Sequence, residues 1–229
     1  MNVYVWTNTM KNAYIGEYKG FVPWSNTLLY LPLESDIIDY SWKGVTVTNN
    51  GVSIDNNQAN IWVWYFNWNW YLSIPKESNI LWNIFTISWY GKVSGRPTYS
   101  AIFSTVNSSY WWLTVQYEWT HLFASTATNN WDLIAVGNVF TKNNVWENYV
   151  LVRNITNWEL YKNWVKVWSA TSWNWNIVQN WNASHIGRNW ASSQANITWY
   201  LSNFIIESTA WSAEEISDYY NQTKSNYWL

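Results

Sequence analysis

Tryptophan occupies the corners of this chain, where a β-protein ordinarily carries glycine. There are 24 tryptophans among 229 residues and only 8 glycines, where the usual glycine share of about 7% would give about 16. Asn157-Trp158-Glu159, Lys162-Asn163-Trp164-Val165 and Ser172-Trp173-Asn174-Trp175-Asn176 each place Asn or Ser beside Trp between strand-like runs. Asn-Gly and Ser-Gly are the dipeptides that tight hairpin turns select, because type I′ turns need φ > 0 at both central residues. An indole there costs backbone strain and exposes a large apolar ring. The pattern is that of UGA codons read as glycine by the source cell, a reassignment found in some bacterial lineages and their phages. On turn chemistry the recoded positions are Trp6, Trp42, Trp62, Trp64, Trp68, Trp70, Trp82, Trp131, Trp158, Trp164, Trp168, Trp173, Trp175, Trp181, Trp190, Trp199 and Trp228. Trp89 and Trp146 lie within apolar runs and read as genuine, while Trp24, Trp111, Trp112, Trp119 and Trp211 fit either residue. The literal alternative is a tryptophan-rich surface for sugars or membranes. Such a surface would gather its rings on one face instead of following Asn and Ser from turn to turn.

Length suits one β-sandwich or barrel domain with a substantial core. Twelve basic and fourteen acidic side chains give a net charge of −2, with 11% of residues charged. No basic stripe invites nucleic acid or anionic lipid. The absence of cysteine excludes disulfides, thiolate metal sites and cysteine nucleophiles. Met1-Asn2-Val3-Tyr4-Val5 has neither the basic nor the apolar segment of a secretion signal. No run reaches the roughly 18 apolar residues of a membrane span. A site of action outside the cell would then be reached within an assembly, by another export route, or after lysis.

Residues 1–22 read as an attachment arm or a short strand pair, and residues 23–229 as one domain. From Thr27 onward, period-2 alternation predicts strands over 28–33, 44–48, 71–74, 84–93, 101–105, 112–118 and 122–125. It continues over 133–140, 149–155, 159–162, 165–170, 184–188 and 199–207. Many short strands at close spacing indicate an all-β sandwich. Ser212-Ala213-Glu214-Glu215 is a capping box that opens a helix whose apolar face is Ile216, Tyr219 and Tyr220 and whose end lies near Lys224.

Trp146, the run Tyr149–Arg153 and then Leu160-Tyr161-Lys162-Asn163-Trp164-Val165 resemble the signature of laminin-G-like, concanavalin-A-like jelly rolls. Trp164 and Trp168 fall on two glycines of that family. Further pieces follow in family order: 84–90 resembles the strand with the core Trp, His185–Asn189 an "I-G" strand, and Trp199–Ile206 the "G-x-I-D-D-V-R-I" strand. Upstream, 28–33 and Asp39-Tyr40-Ser41-Trp42-Lys43-Gly44 resemble the opening segment. Ser202 and Asn203 replace the family's acidic pair. The resemblance covers roughly 27–222. It implies an all-β, two-sheet antiparallel jelly-roll sandwich with one short C-terminal helix, and a non-catalytic module that binds carbohydrate or cell-surface polymer. Such a module would sit on a cell surface or a phage virion. A structural subunit docked through residues 1–22 is the rival from another class.

A glycosidase, the third reading, needs two carboxylates about 5–9.5 Å apart across the scissile bond. The nearest approach to the family's catalytic run is Glu34-Ser35-Asp36-Ile37-Ile38-Asp39, which ends in Asp and puts Asp39 out of phase with Glu34. His121 and His185 read as structural, because neither has the partners of a triad nearby in sequence. Tyr110, Trp111, Tyr117 and Trp119 form either a sugar-stacking patch or core packing. Asn129, Asn130 and Asp132 offer oxygens to calcium or make a plain turn, and calcium is the one cofactor the sequence leaves open. The glycine reading is checked by weighing the natively made protein. An intact mass well below 27.3 kDa is expected, and a mass equal to it would establish every tryptophan as literal.

Overall fold

The computed structural model describes residues 23–32, 36–67, 70–75, 83–94, 98–105, 112–118, 121–127, 134–171, 183–188 and 198–229. Two antiparallel sheets face each other. The first runs β13 (Val165–Thr171), β12 (Asn157–Lys162), β11 (Trp146–Asn154), β6 (Ile84–Ser94), β15 (Thr198–Glu207), β4 (Val63–Asn67), β3 (Ser53–Asp55), with β1 (Thr27–Leu31) also on β15. The second runs β10 (Ile134–Phe140), β9 (His121–Ala127), β8 (Trp112–Glu118), β7 (Thr98–Ser104), β14 (Ser184–Ile186), β5 (Tyr71–Ile74), β2 (Thr48–Asn50). The expected all-β sandwich with a C-terminal helix is what the chain forms.

Alternation explains the layers. Phe85, Ile87 and Trp89 of β6, Tyr149 and Leu151 of β11 and Phe204 and Ile206 of β15 meet Leu72, Ile74, Phe103, Leu113, Val115 and Ile186 of the second sheet. This is the sandwich interior, where side chains of two inner faces interdigitate. The opposite face of the first sheet is apolar too. Tyr90, Val150, Val152 and Ile205 are covered by Trp211 and by Ile216 and Tyr219 of helix α1 (Ala213–Thr223). Strands β6 and β11 are therefore buried on both faces, which is why they read as nearly continuous apolar runs. Ser212 caps α1 as the sequence predicts: its hydroxyl accepts from the Glu215 amide, and Glu215 accepts from the Ser212 amide.

Strand β15 serves two neighbours on one edge. Residues 198–201 pair with β4 and residues 204–207 with β1. The register with β6 shifts between Ser202 and Ile205, where Asn203 takes φ +49°, a bulge that bends the strand.

Three expectations are corrected. Strands β3 and β4 fall in a stretch expected to be a corner. The alternating Trp62, Trp64, Trp68 and Trp70 had been read as glycines, yet Trp64 and Phe66 point into the core. Residues 44–47 form no strand, because the Val45 amide is drawn onto the Asp39 carboxylate. The turn between β11 and β12 lies at Ile155-Thr156, with Ile155 at φ +57°, two residues before the expected Asn157-Trp158 corner. Trp158 is consequently inside β12 and 1% exposed, edge-on to Phe85 and under the Arg153 guanidinium.

The turn between β12 and β13 is as expected. Asn163 and Trp164 hold φ +45° and +69°, the signs of a two-residue I′ turn. Among the described tryptophans assigned to glycine, only Trp164 and Trp228 have positive φ. Replacing Trp164, 43% exposed with its ring stacked on Tyr220, by Gly should stabilise the protein by about 1 kcal/mol. Relief of roughly 1–3 kcal/mol of strain outweighs loss of one half-exposed ring contact. The same change at Trp89 or Trp146, 0% and 3% exposed, should destabilise by about 3–5 kcal/mol. Denaturant unfolding of the three variants reads out the opposite signs.

Candidate functional site

The outer face of the first sheet is only partly covered by α1. Beyond the helix, cross-strand register brings one residue from each of five strands into a row. Ser53 pairs with Tyr65, Tyr65 with Tyr200, Tyr200 with Lys92, and Lys92 with Trp146. Tyr65 and Tyr200 are half-buried, with ring centroids 5.3 Å apart and planes tilted by 39°. Trp70 stands edge-on to Tyr65 at 5.9 Å. Gly51 makes room for that indole, since a Cβ there would lie 2.7 Å from it on a backbone already at φ +96°.

The tyrosines floor an open cleft of about 290 Å³, walled by Ser53, Ile54, Asp55, Asn56 and Asn57. Asp55 organises the wall. Its Oδ1 accepts the Asn57 amide at 2.8 Å, and its Oδ2 accepts Gln58 Nε2 at 3.3 Å. Tyr200 lines the cleft beside Asp55. Burial, then the Asp55 charge, raise the Tyr200 pKa and keep the phenol protonated. Behind the wall, Gln58 Oε1 accepts Lys92 Nζ at 2.9 Å and the Gln58 carbonyl accepts Trp146 Nε1 at 2.6 Å. The C-terminal turn holds the same loop. The Asn60 amide donates to the Asn226 carbonyl, Asn60 Nδ2 to the Ser225 carbonyl, and Trp228 Nε1 to Asn60 Oδ1. The arrangement is an aromatic floor of two tilted tyrosines with a wall of oxygen acceptors and amides, fixed from behind.

The residues singled out in the sequence lie elsewhere. Tyr110, Trp111, Trp119, Asn129, Asn130 and Asp132 fall outside the described residues, and Tyr117 lies on β8. Glu34 is outside them too. Asp39 is buried and accepts from the Tyr30, Ser41 and Val45 amides and from the Ser41 hydroxyl, so it organises its own loop. Asp36 accepts from the Ile38 amide and the Tyr40 hydroxyl. No group of three or more His, Asp or Glu able to hold a metal occurs among the described residues. No helix among them is long and apolar enough to cross a membrane.

Two perturbed titratable groups belong to the fold and not to the cleft. Burial first, then Arg188, lowers the His185 pKa to about 4; its ring stands edge-on to Tyr71 at 5.1 Å. Glu207, fully buried on β15, accepts a 2.5 Å bond from Thr27, and burial raises its pKa to about 8.

No family model matches the chain, and no curated protein resembles it. Solved structures do. The binding domain of Paraclostridial Mosquitocidal Protein 1 superposes with a TM-score of 0.70 at 18% identity, over 86% of this chain and 52% of that one. The botulinum neurotoxin serotype G binding domain gives 0.71 at 15% identity, over 87% and 52%. The binding domain of botulinum neurotoxin DC in complex with SialylT gives 0.70 at 15%, over 86% and 51%. The chain spans about half the length of these structures. At such identities the likeness is one of fold.

Glu207 supplies a pH test. Its carboxyl is neutral in the fold up to about pH 8 and ionises at about 4.5 when unfolded. Its contribution is complete below pH 4.5 and lost as pH rises through 8. Glu207→Gln should therefore gain Tm relative to wild type as pH goes from 4.5 to 8.5. A constant difference between the two melting curves would mean that Glu207 is ionised in the fold.

Proposed function

We propose that the chain is a non-catalytic binding module of laminin-G-like type that takes a glycan or cell-surface polymer on the Tyr65–Tyr200 cleft. The observation that carries this is the pair of tilted tyrosines beside a hydrogen-bonded Asp55 at the mouth of an open cleft. Pyranose rings present apolar C–H faces that lie against aromatic rings and an equatorial girdle of hydroxyls. An aromatic floor with a polar wall meets both demands. One neighbour in fold was solved with SialylT. The chain matches only half of that structure, so the support it lends is to a binding role and not to a ligand.

The non-catalytic reading rests on the carboxylates. Asp55 is the only one lining the cleft among the described residues, and Asp39 is held by its own loop. Glycoside hydrolysis in its common forms needs two. The module works outside the cell, on a cell surface or phage virion, with residues 1–22 as its attachment arm. The corner tryptophans are recoded glycines. The cleft floor is made of tyrosines, while Trp70 beside Tyr65 and Trp228 on Asn60 are among the recoded positions.

Affinity electrophoresis against a panel of soluble polysaccharides tests the proposal. Wild type should be retarded by at least one polymer and release no reducing sugar from any. Tyr65→Ala and Tyr200→Ala should each weaken retention by a few-fold to about tenfold, as the loss of about 0.5–1.5 kcal/mol of aromatic contact predicts. Unchanged retention by a folded double variant would remove the cleft from the binding face.

A further inference from the structure

Resting on that reading, we infer that the cleft selects uncharged, hydroxyl-rich glycan and rejects acidic sugars. The inference comes from the count of donors and acceptors that the wall turns toward a ligand. Asp55 is acceptor-only when ionised, with about four lone-pair positions. Two of them are taken by the Asn57 amide and Gln58 Nε2. The remaining positions can be filled only by donors.

The nearest cation does not reverse this. Lys92 Nζ is tied to Gln58 Oε1 at 2.9 Å and stands 5.8 Å from the Tyr200 centroid. Gln58 gives its amide nitrogen to Asp55 and its amide oxygen to Lys92. The ammonium therefore sits behind an amide's width, on the far side from the carboxylate. A sugar hydroxyl can donate to Asp55 at no cost in charge. A sialyl or uronate carboxylate brought to the same wall meets the Asp55 carboxylate, with no cation among the cleft-lining residues to offset it. Discrimination then comes from repulsion as much as attraction, which is how specificity between similar ligands is commonly obtained.

The test is titration calorimetry of the full chain against four probes: mannohexaose, cellohexaose, 3′-sialyllactose and a hyaluronan hexamer, at low and physiological salt. At least one uncharged probe should bind at least tenfold more tightly than either acidic one, with the gap narrowing as salt rises. Asp55→Asn, nearly isosteric, should weaken the uncharged probe at least tenfold and narrow the gap. Equal or tighter binding of an acidic probe by wild type overturns the inference. So does an Asp55→Asn protein, folded by its melting curve, that keeps the full preference. Tyr65→Ala and Tyr200→Ala separate this from the wider reading. If they abolish binding while Asp55→Asn leaves it unchanged, the cleft binds glycan but Asp55 does not select it. If they leave binding unchanged, the cleft itself is wrong, and the selectivity inference falls with it.

Discussion

The bulge at Asn203 is the constraint on which the rest of the molecule turns. A straight β15 would carry one neighbour along that edge; bent there, it carries β4 on its first half and β1 on its second. Such a bend at a non-glycine residue is costly unless its surroundings fix it. Here the Asn203 amide donates to the Pro32 carbonyl, its Oδ1 accepts the Tyr30 hydroxyl, and its Nδ2 donates to the Tyr227 hydroxyl. Tyr227 in turn donates to Ser202 and stacks on Tyr90 at 3.8 Å. One side-chain amide thus joins the opening strand, the central strand and the C-terminal turn. The first half of β15 carries Tyr200, and that turn holds the Asn60 loop, so floor and wall of the cleft are referred to a common anchor.

Ser202 and Asn203 stand where the resembled family carries an acidic pair. Asn203 uses donor and acceptor together, and a carboxylate could offer only the second. The buried position between Tyr30, Tyr227 and Pro32 therefore suits the amide.

Much of the fold was legible because its strongest signals are local. Strand β5 was expected at 71–74 and is found there, and the Ser212 capping box starts α1 as read. Burial on both faces made β6 and β11 conspicuous. The cleft was not legible, in part because reading Trp64 as glycine broke the run Val63–Asn67, hiding β4 and with it Tyr65. The remaining signal was long-range: Tyr65 and Tyr200 are far apart in sequence and meet only through strand register. Nothing local marks a tyrosine as half of such a pair. The aromatic cluster that sequence proximity favours, Tyr110 to Trp119, is by contrast compact in the chain and lies largely outside the described residues. The glycine reading fares unevenly at the level of backbone. It suits Trp164 and Trp228, where φ is positive, whereas Trp64, Trp158 and Trp199 lie in strands and fill the core.

The row of cross-strand partners also sets a length. From Ser53 to Lys92 it crosses three gaps between hydrogen-bonded strands, on the order of 14–15 Å at the usual spacing. That run lies across the strands, not along them. An extended chain laid over it would meet a hydroxyl and two rings in succession, each on a different strand, before it reaches the strand of the Gln58-bound Lys92. Because each residue hangs from its own strand, sheet twist rotates the successive contacts relative to one another. A ribbon that itself turns gradually would match that rotation better than a flat one. The twist of the sheet thus becomes a ruler for the helical pitch of whatever polymer lies on it.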